Sequence, residues 1–100
     1  MKVLMVRSKV KPEHVAEVEA AVEKVFSAIS QAQPKGVRYA SSKLPDGVTF
    51  VALLELDTGV DNPLPGLPAF REFQENLKNW VAEPPVPEQM EVVGSYRLFD

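Results

Sequence analysis

The chain has 100 residues, 45% of them hydrophobic and 25% charged, which is the size and make-up of one globular domain around one core. Its 14 acidic and 11 basic residues leave a net charge of −3, and the Lys and Arg are scattered instead of forming a stripe that could follow phosphates, which argues against nucleic acid. The absence of cysteine and the single histidine exclude disulfides, thiolate chemistry and structural zinc.

Residues 2–10, KVLMVRSKV, are rich in β-branched and apolar side chains on both alternating sets, Leu4 and Val6 against Val3 and Met5, as in a strand covered on both sides. Pro12 suits the first turn of a helix. After it Val15, Val18, Val22, Val25 and Ile29 recur at steps of three and four, with Glu13, Glu17, Glu19, Glu23 and Lys24 largely off that stripe. The helix should end near Gln33, ahead of Pro34 and Gly36. Val37 to Leu44 reads as a second, more polar strand, and Pro45-Asp46-Gly47 turns the chain back on itself. The third strand, Val48 to Asp57, is apolar on both faces, Phe50, Ala52, Leu54 and Leu56 alternating with Val51 and Leu53.

The segment TGVDNPLPGLP, Thr58 to Pro68, carries too many prolines and glycines for a helix or a central strand and is a loop. Phe70, Phe73, Leu77 and Trp80 or Val81 then mark the buried stripe of a second helix, with Arg71, Glu72, Glu75, Asn76 and Lys78 on its wet side. Pro84-Pro85-Val86-Pro87 stops that helix, and the last strand is expected from Met90 to Phe99. The apolar runs are far shorter than the roughly 20 residues that span a bilayer. Met1-Lys2 leads into the first strand without a signal-peptide pattern, so a soluble cytoplasmic protein with no membrane partner is expected.

Strand, helix, strand, strand, helix, strand is the split βαβ order. It predicts an α+β, ferredoxin-like βαββαβ domain over residues 1–100, a four-stranded antiparallel sheet with both helices on one face. The first and third strands then lie at the centre, in keeping with their two-sided apolarity. The helices cover one face only, so the apolar residues of the other face need a cover, and a second copy is the cheapest one. A homodimer through the sheet face opposite the helices is therefore expected. Because both faces are apolar, the sequence does not decide whether Met5, Phe50 and Leu53 or their opposite-parity neighbours fill that interface.

Three stretches carry a resemblance to a known family: VLMVRSKVKPEHVAEV at the first strand-to-helix junction, GVRYASSKLPDGVTFVALLEL through the hairpin, and PAFREFQENLKNW in the second helix. With them the chain resembles the dimeric α/β-barrel proteins, and among these the antibiotic biosynthesis monooxygenase-like domains. The resemblance spans nearly the whole chain. It implies a cofactor-free monooxygenase for an aromatic or polyketide-like substrate, in which a bound enolate or phenolate reacts with oxygen while polar side chains stabilise the anion. The same fold also serves non-catalytic dimeric ligand-binding and stress-related modules, and that alternative stays open. The haem-degrading members use a histidine in the second helix and an asparagine in the first strand. Here no histidine lies between Leu67 and Glu83, and Val6 stands near the asparagine's place, so haem chemistry is not expected.

An aromatic substrate would call on Tyr39, Tyr96, Trp80, Arg38, Arg7 and Ser8, with no metal and no cofactor. Each has a structural alternative. The tyrosines could be amphipathic edge residues, Trp80 falls on a packing stripe, and Arg7, Arg38 and Arg97 could be solvated strand ends. His14 could be a base at a helix start, although its neighbours Lys11, Glu13 and Glu17 suit a surface turn. Glu55, in an apolar strand, is either a buried proton carrier or the partner of a nearby base. Catalysis would need an enclosed apolar pocket with an entrance, and the TGVDNPLPGLP loop is expected to lie over it.

Overall fold

In a computed structural model describing residues 2–98, the alternating run at the start of the chain forms β1 (Lys2–Val10). The valine stripe forms α1 (Val15–Ala32), entered through a 3-10 turn at Pro12–His14. Gln33 closes α1 in the left-handed conformation, its N–H bonded to the Ile29 carbonyl at 2.9 Å. Gly36 then takes φ +75°, and a Cβ there would lie 2.9 Å from Val60 Cγ2, so both backbone and space demand glycine.

The hairpin of β2 (Val37–Lys43) and β3 (Thr49–Leu56) is held at its turn by one carboxylate. Asp46 Oδ1 accepts from the backbone N–H groups of Val48 and Thr49 at 3.0 and 2.9 Å, and its Oδ2 accepts from the Thr49 hydroxyl at 2.6 Å. The proline-rich loop that follows contains a 3-10 turn at Leu64–Gly66, and α2 (Pro68–Trp80) begins on its third proline.

The sheet order is β2-β3-β1, with β4 (Val81–Glu91) at the far edge beside β1, and all neighbours are antiparallel. The fold is thus the expected α+β, ferredoxin-like βαββαβ architecture with β1 and β3 central. The last strand differs from its expected position. It starts at Val81, directly after α2, and includes Pro84, Pro85 and Pro87, while residues 92–98 lie outside any strand and Phe99 lies outside the described residues. The prolines do end the helix, but an edge strand tolerates them, because an N–H pointing away from the sheet has no partner to lose. The β1–β4 register shifts between Arg7 and Lys9, opposite this stretch, as a bulge accommodates it.

Register also separates the two faces. Leu4, Val6, Ser8 and Val10 share the helix side with Phe50, Ala52 and Leu54, whereas Val3, Met5 and Arg7 pair with Glu55, Leu53 and Val51 on the open side. Met5 and Leu53 therefore face away from the helices, and Phe50 faces them, so the three do not form one set. The core gathers Val25, Leu54, Leu64 and Phe70, with Leu4, Ile29, Val37 and Tyr39 packed against it. Leu64 is completely buried although it comes from the loop, and Asn62 Oδ1 accepts its backbone N–H at 3.0 Å.

Candidate functional site

Between the helix layer and the sheet lies an apolar cleft of about 710 Å³, a volume suited to a small organic ligand. Its floor is the helix side of β1, β2 and β3, and its roof is Val18, Val22, Val25 and Phe26 of α1 with Phe70, Phe73 and Leu77 of α2. Asn62, Leu64 and Pro65 bring the proline-rich loop into the lining beside these helices. The walls come from valine, leucine and phenylalanine because these positions carry the inward stripe of each helix and the inward parity of each strand.

Three hydroxyl-bearing residues of the floor line this interior: Ser8, which is buried, Ser41 and Tyr39. The Tyr39 ring stacks on Phe26 with centroids 5.2 Å apart and meets Phe70 edge-on at 6.2 Å. Burial raises its phenol pKa, so the hydroxyl stays protonated and serves as a donor through neutral and mildly alkaline pH. Protonated, it can donate to an oxyanion, and the low-dielectric surroundings make that bond count for more than it would in water.

The other expected site residues lie elsewhere. Arg38 is on the open face of the sheet, where Nη1 meets Asp57 Oδ1 at 2.9 Å and Glu55 Oε1 at 3.1 Å; these bonds and charges raise its pKa and hold it cationic. Glu55 accordingly has its basic neighbour at the end of β3. Arg7 is exposed on the same open face. Tyr96, 84% exposed, belongs to the segment after β4, and the Arg97 guanidinium sits 5.4 Å from its ring centre. This segment borders a shallow groove with Val3, Leu53, Glu55 and Arg38 on the open face. Trp80 is half-buried at the end of α2, its ring centre 6.5 Å from that of His14. His14 Nδ1 is 2.7 Å from Glu17 Oε1, a carboxylate partner three residues on.

Of the expected set, then, the cleft joins Tyr39 and Ser8, while Arg38 and Tyr96 share the groove on the opposite face. Ser41, Asn62 and Arg71 line the cleft without having been singled out by their sequence. Ser41 is two residues from Tyr39 on one strand, so parity would have found it once the direction of Tyr39 was known. Among the described residues no group of three His, Asp or Glu is placed to hold a metal. No helix among them is long and apolar enough to cross a membrane.

Fold and cleft together define the class: a ferredoxin-like domain of the architecture found in antibiotic biosynthesis monooxygenase-like proteins. No family model and no curated protein matches the chain. Solved structures do. A candidate antibiotic biosynthesis monooxygenase of Nitrosomonas europaea superposes with a TM-score of 0.78 at 18% identity, over 94% of this chain and 100% of that one. A second, from Caulobacter crescentus, gives 0.74 at 21% identity over 93% and 90%. SnoaB of Streptomyces nogalater, a cofactor-independent oxygenase solved as an asparagine-to-alanine variant, gives 0.70 at 15% identity over 97% of each chain. At such identities the likeness is one of fold.

Proposed function

We propose that this protein is a small monooxygenase that oxidises a flat aromatic or polyketide-like substrate in the cleft between its helices and its sheet, without a metal or an organic cofactor. The observation that carries this reading is the cleft itself: an apolar slot lined by valine, leucine and phenylalanine together with the hydroxyl-bearing residues Tyr39, Ser8 and Ser41. The cofactor-independent activity named for SnoaB, which has the same fold, supports it. In such a reaction an ionised phenol is its own reductant. Oxygen accepts four electrons from the ring in all: one oxygen atom replaces a ring hydrogen and stays on that carbon, while the other leaves as water with that hydrogen and the phenol's proton, so that a phenol and O₂ give a quinone and water. Tyr39 would hold the substrate oxyanion and the apolar walls would keep bulk water away.

The experiment is oxygen uptake with polycyclic phenols, comparing the native chain with Tyr39→Phe and with Ala52→Phe, which fills the floor. Uptake that falls roughly tenfold or more in Tyr39→Phe, and vanishes in Ala52→Phe, is the expected result. A reading as a non-catalytic dimeric ligand-binding or stress-related module is favoured by one observation, the neutrality of all three interior hydroxyls, which leaves no base among them to ionise a phenol. Ligand binding without oxygen uptake would establish it.

The same proposal includes a homodimer. Val3, Met5, Val51 and Leu53 are half-buried on the open face and Val86 of β4 is 54% exposed beside them. A second copy laid sheet to sheet would cover these side chains.

A further inference from the structure

The cleft is electrostatically biased in a way that its apolar walls do not require. Besides Tyr39, the ionisable side chains lining it are Arg71, Glu75 and Lys78, all on α2. Lys78 Nζ donates to Glu75 Oε2 at 2.6 Å, so this pair cancels. Arg71 has no carboxylate partner among the described residues; its Nη1 donates to the carbonyl of Pro65 at 2.9 Å. The bond ties the guanidinium to the loop and leaves its remaining N–H donors free. A chain of net charge −3 therefore sets one uncompensated cation at the rim of its ligand cleft.

The loop contributes a second donor at that end. Asn62 Oδ1 is used by the Leu64 N–H, which orients the side chain and leaves its amide NH₂ to donate. The floor hydroxyls Ser8 and Ser41 lie inside, among valine, leucine and phenylalanine. A ligand matching both ends has an apolar ring system inside and an acid outside. A planar, fixed guanidinium suits a carboxylate, which it can meet with two parallel hydrogen bonds.

Resting on the proposed use of the cleft, we infer that Arg71 is a specificity-determining anchor and that the substrate is an aromatic carboxylic acid whose carboxylate sits at the loop-side rim. Arg71 then binds a group that does not react, which leaves the ring to Tyr39 and sets its depth in the cleft.

The test uses two probes of one ring system, 2-naphthoic acid and its neutral amide, titrated calorimetrically into the full chain near pH 7.5. The acid should bind the native protein about tenfold tighter than the amide. Arg71→Gln should abolish that preference while leaving amide affinity within about twofold, and Arg71→Lys should keep part of it. Equal binding of the two probes to the native protein, lost for both in Ala52→Phe, would overturn the anchor while leaving the cleft as the ligand site. Equal loss of both probes in Arg71→Gln with recovery of both in Arg71→Lys would also overturn it, reducing Arg71 to a brace for the Pro65 loop. Binding of neither probe to the native protein would overturn the anchor and the cleft reading together.

Discussion

Asp46 holds the β2–β3 turn through three hydrogen bonds from the Thr49 hydroxyl and the Val48 and Thr49 amides, and these same bonds hold its carboxyl below the ordinary range. A carboxyl with a depressed folded pKa stabilises fully above its unfolded value, near 4, and that stabilisation is lost as pH falls through the lower folded value. Asp46→Ala should accordingly melt below the native chain at pH 7, with a gap that stays constant down to about pH 5 and narrows below about pH 4. Thermal melts across that series check it; a gap independent of pH would mean that the charge plays no part in the turn. Single residues are also where the sequence says least about the candidate site. Tyr39 draws notice as an aromatic in a polar strand, yet its value depends on the side of the sheet it faces, and neither face of this sheet is polar enough to give that away. Arg38, its neighbour, is chemically as suitable and points the other way, into the carboxylates of Glu55 and Asp57.

Among the elements, the proline-rich loop is structural as well as a connector. Leu64 is wholly buried among Val25, Leu54 and Phe70 and so pins the loop that lines one part of the cleft. Leu64→Ala should cost about 2–5 kcal/mol, measured by denaturant unfolding, because the small loop turn cannot collapse to fill the space. Such a variant should also bind cleft ligands more weakly, since Asn62 and Pro65 depend on the same anchor. The first five elements are legible from pattern: two-sided runs for β1 and β3, a 3.6-residue stripe for α1 and again for α2, and a turn signal at Pro45-Asp46-Gly47 that marks off β2. The final strand is not. Its three prolines argue against a strand in any central position, while the later run of Val92, Val93, Tyr96 and Leu98 has the alternating look that β4 itself lacks. Only the sheet order, which puts this strand on the edge, makes the prolines acceptable.

For the molecule as a whole, the arrangement of layers decides what remains to be covered. Both helices lie over one face, and the other keeps a band of half-buried valine, methionine and leucine next to the charged cluster of Arg38, Glu55 and Asp57. Under the proposed sheet-to-sheet pairing, sedimentation should give about twice 11.1 kDa at micromolar concentration. Leu53→Arg, which sets a charge in the middle of the open face, should shift the protein to monomer without disturbing the helix side. A native chain that sediments as a monomer would remove the dimer from the proposal. The overall fold was readable from the order of the elements and the need of each apolar stripe for a partner. The cleft was not, because an unfilled space between two layers depends on how far the layers stand apart, which no pattern of residue types records.

Pro84, Pro85 and Pro87 also bear on how the protein behaves when crowded. A sheet margin with a full set of amide donors invites another chain to lengthen the sheet, and repetition of that step builds fibrils. By removing three donors from β4, the prolines make this margin a poor template. Under the proposed face-to-face pairing, which closes on itself, blocking this margin removes one route to contacts through the rim, which continue without limit.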